Sequence, residues 1–178
     1  MKERIRTTPD LLDSSDAHKK AKELGDENFS SWSYNVKDCF KEYSVEEIRN
    51  SLQKTVFPFS ICMEHIIGDF NFGTLIRNAN AFNAKEIFYL GDKRWDRRAA
   101  VGTHKYKDVT WIPTIDDFIN LSNQYIFIGV DNVEGSVPME TFVYPSPCLF
   151  IFGEEGCGLT PIIQKMCKHI IHISMFGS

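Results

Sequence analysis

The chain has 178 residues, 43% of them hydrophobic and 25% charged, with a formal net charge of −4. That is enough for one domain with a sizeable core, and it excludes a protein that grips nucleic acid over its whole surface through positive charge. Cys39, Cys62, Cys148, Cys157 and Cys167 are odd in number, unclustered and without a Cys-x-x-Cys pair, which argues against a disulfide framework or a zinc site and for a reducing, intracellular setting. No basic-then-apolar leader opens the chain, and no apolar run approaches the roughly 18 residues that cross a bilayer. A soluble, cytoplasmic protein without membrane contact or metal is expected.

Residues 1 to 55 are polar and charged, and read as a partly helical or disordered extension that packs on a partner subunit or on RNA. Within it, Ser44 followed by Glu47 forms a capping-box pattern, with Val45, Ile48 and Leu52 on one face of a short helix. From Val56 the texture changes. Near-continuous apolar runs at 56–64, 86–91, 109–112, 125–131, 148–153 and 169–174 predict strands buried on both faces of a parallel sheet. Helices are predicted over 73–83, 114–124 and 160–169, the last opening with Thr160 as N-cap and Pro161 at the first helical position. The alternation predicts an α/β domain over 56–178, with a mostly parallel sheet and helices on both faces.

In such sheets ligands sit beyond the carboxyl ends of the strands. Three of the loops there are unusual. In GDFNFGTLIRNANAF (68–82) Gly73 stands where a loop turns into a helix, with Arg77 one turn on. That arginine is either a phosphate clamp, a cation that helps deprotonate a hydroxyl, or an ordinary helix-surface residue. In FGEEGCGLTP (152–161) three glycines allow close approach to a ligand, but the spacing matches neither a dinucleotide fingerprint nor a P-loop. Glu154 and Glu155 would repel phosphate, so the loop suits an uncharged or cationic group, or is simply a tight turn. The third is HISMFGS (172–178), where His169 and His172, three apart on a strand, point to opposite faces and read as structural. A basic stretch at 92–107 holds Lys93, Arg94, Arg97, Arg98, Lys105 and Lys107 among Trp95, His104 and Tyr106, and taken alone is a solvated loop. There is no Gly-x-Ser-x-Gly elbow or His-Glu-x-x-His helix to support a hydrolase.

Taken together, the three loops resemble one family. Asn71-Phe-Gly73-Thr-Leu-Ile-Arg77-Asn-Ala79 resembles the first motif of the SPOUT-class RNA methyltransferases, SpoU (TrmH-like) branch, with Asn83 where glycine is usual. Residues 151–159 are similar to the second motif, with Glu154 where asparagine is common, and Ile173-Ser-Met175-Phe-Gly177 resembles the opening of the third, with Ser174 in place of proline. The resemblance implies a 2′-O-ribose methyltransferase of tRNA or rRNA. It also implies S-adenosylmethionine held bent in a trefoil knot, and an obligate homodimer. Carried over by position, Arg77 activates the ribose hydroxyl, Asn71 supports the catalytic loop and Glu155 organises the site beside the RNA. Gly153, Glu154, Gly156, Ile173 and Met175 hold the cofactor, with Leu159 on the apolar wall. Arg97, Arg98, His104 and Lys105 become the expected RNA contacts. The family pattern continues with a Ser-Leu-Asn triplet and a helix, so the resemblance implies a chain cut short in the third motif, with an incomplete knot. Ser178 falls too early to be the motif serine, and cofactor binding by this form is expected to be weak or absent. A non-catalytic RNA-binding protein on the same scaffold is the alternative. A branch methylating a base nitrogen is a third reading, although the Asn-x-Gly-x-x-x-Arg pattern points to ribose.

Overall fold

The structure, a computed structural model, describes residues 37–40, 42–64 and 69–177. The expectations for residues 1–36 and for Ser178 lie outside the described residues. Seven strands form one sheet: β1 (Phe59–Met63), β2 (Ile87–Tyr89), β3 (Val109–Trp111), β4 (Ile126–Val130), β5 (Val137–Pro138), β6 (Cys148–Phe152) and β7 (His169–His172). Their order is β3-β2-β1-β6-β4-β7-β5, and every pairing is parallel. Among the described residues four α-helices accompany them: α1 (Val45–Gln53), α2 (Asp69–Ala81), α3 (Ile115–Asn120) and α4 (Pro161–Met166).

Side chains alternate across the sheet, which is why the strands read as unbroken apolar runs. Ile61, Met63, Ile87 and Tyr89 pack with Phe72, Ile76 and Ala79 of α2 on one face. Cys62, Phe88, Leu149 and Ile151 pack with Phe118 of α3 and Ile163 of α4 on the other. Phe59 and Phe150 extend the α2 face to a third cluster of Ile128, Cys148 and Ile171, closed by Phe142. Each of the six expected strands lies inside its predicted run. The two-residue β5 pairs only with β7 and contains Pro138, which confines it to an edge and hides it from pattern reading.

The capping box at α1 forms as expected, with Ser44 N–H donating to Glu47 Oε2 at 2.8 Å and Glu47 N–H donating to Ser44 Oγ at 3.3 Å. Other boundaries differ. The predicted 114–124 helix is α for six residues and then tightens to a 3₁₀ turn over Leu121–Asn123, where Ser122 and Asn123 favour turns. The 160–169 helix stops at Met166 because Cys167 turns extended and Lys168 N–H donates to Phe127 C=O at 3.0 Å, starting the run into β7.

The largest correction concerns Gly73. Since α2 begins at Asp69, Gly73 lies inside the helix and not at a loop-to-helix turn. A Cβ on Gly73 would stand 2.3 Å from Ala99 Cβ and 2.7 Å from Ala100 N, so glycine lets the 3₁₀ turn Arg97–Ala100 press directly on the helix. Alanine for glycine inside a helix normally stabilises by about 0.5–1 kcal/mol. Here Gly73→Ala is expected to destabilise instead, by about 1–3 kcal/mol, through overpacking. A lower urea midpoint at unchanged slope is the expected result, and an equal or higher midpoint would show that the turn and the helix are not held together.

Candidate active site

The carboxyl ends of β1 and β6 lie side by side because those strands pair in register, Met63 opposite Phe152. Beyond β6 the chain doubles back. Glu154 N–H donates to Gly158 C=O at 3.2 Å and Gly158 N–H returns to Glu154 C=O at 2.9 Å, making a narrow hairpin. Its two stems approach so closely that a Cβ on Gly153 would lie 2.1 Å from the Gly158 carbonyl carbon, and Gly158 itself is left-handed, with φ of +68°.

Three neighbours grip this loop from outside. Asn71 Nδ2 of α2 donates to Glu155 Oε2 at 2.7 Å. Asp131, at the end of β4, accepts from Leu159 N–H at 2.9 Å and from Asn132 N–H at 2.8 Å. Glu64, at the end of β1 and only 8% exposed, accepts from Thr160 N–H at 2.8 Å and from the Thr160 hydroxyl. Thr160 in turn caps α4, and Gln164 Nε2 donates to Leu159 C=O at 2.8 Å. Because β1 and β4 flank β6, one carboxylate arrives from each side and consecutive backbone N–H groups are satisfied by charged acceptors.

The residues predicted from sequence fall into groups. Asn71 and Glu155 are brought together by a hydrogen bond. Arg77 is exposed farther along α2, on the surface that also carries Asn71 and Thr74, while Phe72, Gly73 and Ile76 face inward. Arg77 lies six positions after Asn71, a rise of roughly 9 Å. Gly153 and Glu154 form the base of the hairpin and Gly156 its exposed tip. The Leu159 side chain is 2% exposed and packs in the core, so only its backbone belongs to the loop surface. Ile173 and Met175 follow β7 in an irregular segment, 61% and 73% exposed, and Ser174 Oγ donates to Glu140 Oε2 at 3.1 Å. Among the thiols, a hydrogen bond to Glu154 holds Cys157 above the ordinary range, and burial pushes Cys167 up to about 12, neither being the setting of a nucleophile.

The basic stretch is not a simple solvated loop. It folds into two 3₁₀ turns, Arg97–Ala100 and Thr103–Lys105, joined by Val101 and Gly102 in left-handed conformations (φ 45° and 84°). Arg97 is exposed. Arg98 Nε donates to Asp96 Oδ2 at 2.7 Å, and that hydrogen bond holds the Asp96 carboxyl below its usual range. His104 is half-buried, edge-on to Trp95 at 5.8 Å; burial lowers its pKa, and Arg97 and Lys105 lower it further, so the ring is predominantly neutral at pH 7. Lys105 offers its carbonyl to Arg49 Nη1 at 3.1 Å. His169 stacks edge-on against Phe142 and His172 Nδ1 lies 2.8 Å from Ser136 Oγ, both structural roles. Pattern reading passed over Glu64, Asp131 and Arg49. The available signal for the first two was an acid placed directly after a strand flanking the glycine-rich loop's own strand.

Solved structures share this fold. The TrmH/SpoU tRNA modifying enzyme of A. aeolicus superposes with a TM-score of 0.66 at 18% identity, over 75% of this chain and 71% of that one. An AdoMet-bound rRNA methyltransferase from Sinorhizobium meliloti matches with a TM-score of 0.61 at 22% identity, over 73% of this chain and 52% of that one, so this chain spans about half its length. A third structure, described as giving insights into 2-OH methylation on tRNA, matches with a TM-score of 0.59 at 15% identity, over 67% and 82% of the two chains. The fold is that of the SpoU/TrmH methyltransferases. The SpoU rRNA methylase family model matches residues 58–178, and the chain belongs to that family. No curated protein matches it by sequence.

Removing either acid should loosen the loop locally. Glu64→Ala and Asp131→Ala are each expected to destabilise by about 1–3 kcal/mol. Amide hydrogen exchange should accelerate at Thr160 and Leu159 respectively, and Glu64→Gln, which keeps an acceptor oxygen, should recover part of the protection. Unchanged exchange at both amides would mean that the hairpin holds its shape without the acids.

Proposed function

We propose that the chain is an S-adenosylmethionine-dependent RNA 2′-O-ribose methyltransferase acting on tRNA or rRNA, as a cytoplasmic homodimer. In this reading residues 56–178 form the methyltransferase domain and residues 1–55 an extension. The observation that carries it is the Asn71–Glu155 hydrogen bond, which ties the helix bearing Arg77 to the glycine-rich loop after β6. The similarity to an AdoMet-bound rRNA methyltransferase and to a structure concerned with 2-OH methylation on tRNA supports it.

The loop fits such a cofactor. Its rim is backbone from Gly153 to Gly156, with Glu154 and Glu155 as its only charges, a setting suited to an uncharged adenine and a sulfonium and unsuited to a phosphate. Gly153, Glu154, Gly156 and the segment Ile173–Met175 would hold it, with the Leu159 backbone fixed by Asp131. When bound, the cofactor supplies an electrophilic methyl group, and no metal is required for the transfer. The remaining requirement is an activated hydroxyl held in line. A guanidinium is a permanent cation, so Arg77 serves by stabilising the developing alkoxide, the hydroxyl proton being released to water. Asn71 orients Glu155 at the RNA side of the loop, and the exposed Arg97 and Arg98, with the half-buried Lys105 and the Trp95–His104 pair, offer the RNA a basic surface.

Calorimetric titration of S-adenosylmethionine into the chain, followed by methyl transfer to bulk tRNA and rRNA, tests this reading. Arg77→Ala is expected to lower kcat by about 10²–10³-fold with cofactor affinity unchanged, and a 2′-deoxy target nucleotide should accept no methyl group. Cofactor binding with transfer to a base nitrogen would overturn the ribose assignment, and a folded chain that binds RNA but no cofactor would point to a non-catalytic scaffold.

A further inference from the structure

A cavity of about 270 Å³ lies between α1 and the amino-terminal ends of β2 and β3, at the opposite end of the strands from the glycine-rich loop. Arg49 and Leu52 of α1 form one wall; Lys85, Glu86, Lys107 and Asp108 form the other. The α1 wall lies outside residues 58–178, the stretch that matches the family, so this cavity is not part of the shared motif set.

The charges around it do not cancel. Asp108 is ion-paired with Arg49. Glu86 accepts from the Tyr125 hydroxyl and has the Lys85 ammonium at 3.8 Å. Each carboxylate therefore has its own cation, and Lys107 is a third. It is only 6% exposed, and its ammonium donates to the neutral amide oxygen of Asn83. Burial lowers the pKa of that ammonium; Asp108 opposes the shift and Arg49 adds to it. A buried cation without a matching charge is destabilising, and an anion beside it removes the penalty.

The nature of the anion follows from the surroundings. The cavity carries one surplus positive charge, which equals the charge of one phosphodiester. Lys107 supplies a point charge, and the Arg49 guanidinium, whose Nη2 is held by Asp108 and whose Nη1 donates to Lys105 C=O, adds its remaining N–H groups, donors that suit phosphate oxygens. The basic segment runs from the carboxyl end of β2 past Arg97 and Lys105 and terminates at Lys107, so a nucleic-acid backbone lying along it arrives at this cavity. Arg49 fastens the same segment by donating to Lys105 C=O at 3.1 Å.

We propose that this cavity is a phosphate-binding pocket, with Lys107 and Arg49 as its donors, and that it takes a backbone phosphate of the RNA substrate at a distance from the methyl-transfer centre. The assignment to RNA rests on the function proposed above; the phosphate chemistry does not.

The test uses the full chain without cofactor. Inorganic phosphate, and separately a short single-stranded RNA, are titrated while the Arg and Lys side-chain nitrogen signals are followed, and RNA affinity is measured across a range of salt. Both probes should shift the Arg49 and Lys107 signals and leave the Gly153–Thr160 amides unmoved. Lys107→Met should weaken RNA binding about tenfold and reduce the slope of log affinity against log salt by about one. Its melting temperature should be unchanged or higher, because an apolar chain of similar length replaces a buried charge. Should that variant fail to fold, Arg49→Gln, on a partly exposed position, is expected to give the same loss of affinity and slope. A Lys107→Met protein that melts lower and binds RNA with unchanged affinity and slope overturns the proposal, the lysine then being a structural tie to Asn83. Phosphate shifts at Arg49 and Lys107 with no change in the RNA slope overturn the RNA assignment and leave a pocket for free phosphate. Since no methyl transfer is read, absence of transferase activity does not alter either outcome.

Discussion

Two backbone N–H groups in succession, those of Leu159 and Thr160, end on carboxylates that belong to the strands on either side of their own. Much of the site depends on that arrangement. A glycine-rich hairpin is entropically loose by composition, and left to itself it would sample many shapes. Here it is tied at three points, by Asp131 from the end of β4, by Glu64 from the end of β1 and by Asn71 from α2. Those contacts exist only because the parallel order β1-β6-β4 brings three carboxyl ends together. The sheet thus contributes to function through its connectivity, and the loop contributes through what the sheet brings to it.

The departures from the family pattern look different once their surroundings are known. Asn83 occupies a left-handed position with φ of +52°, which glycine fills without strain and asparagine tolerates better than other side chains. In exchange for the small strain, its amide donates to Leu52 C=O at 3.0 Å and Thr55 Oγ1 at 3.1 Å and accepts from Lys107. A glycine there would keep the turn and lose the tie between α1 and the basic segment. Glu154 likewise forms the backbone bridge of the hairpin and receives the Cys157 thiol at 3.0 Å. Neither substitution bears the mark of a decaying site.

What could be read from the residues and what could not divides along sequence separation. The strands were legible because burial on both faces leaves an unbroken apolar run, and α1 was legible because its capping box spans four residues. The start of α2 was misplaced because Asn71 and Gly73 are loop-formers locally; the helix is decided by its buried face and by a turn some 25 residues downstream that needs the missing Cβ. Glu64 meets Thr160 across 96 positions, and no local pattern reports such a contact. The enclosure of Lys107 was illegible for a related reason. Charged residues carry no periodic sign of burial, so Lys107 looked like its exposed neighbours although it is enclosed.

That difference changes what the net charge of −4 means. Asp131 and Glu64 are engaged by backbone N–H groups, Asp96 by Arg98, Asp108 by Arg49, and Glu86 by Tyr125 and Lys85. Negative charges spent in this way are short-ranged in effect, since a donor or cation lies against each, and salt screens what remains within about 10 Å. An approaching polyanion therefore responds less to the total than to the local field over Lys93–Lys107, where Lys107 retains a charge that no carboxylate of its own cancels. An acidic protein can in this way keep a local concentration of positive charge, because many of its acids are already engaged in holding its loops.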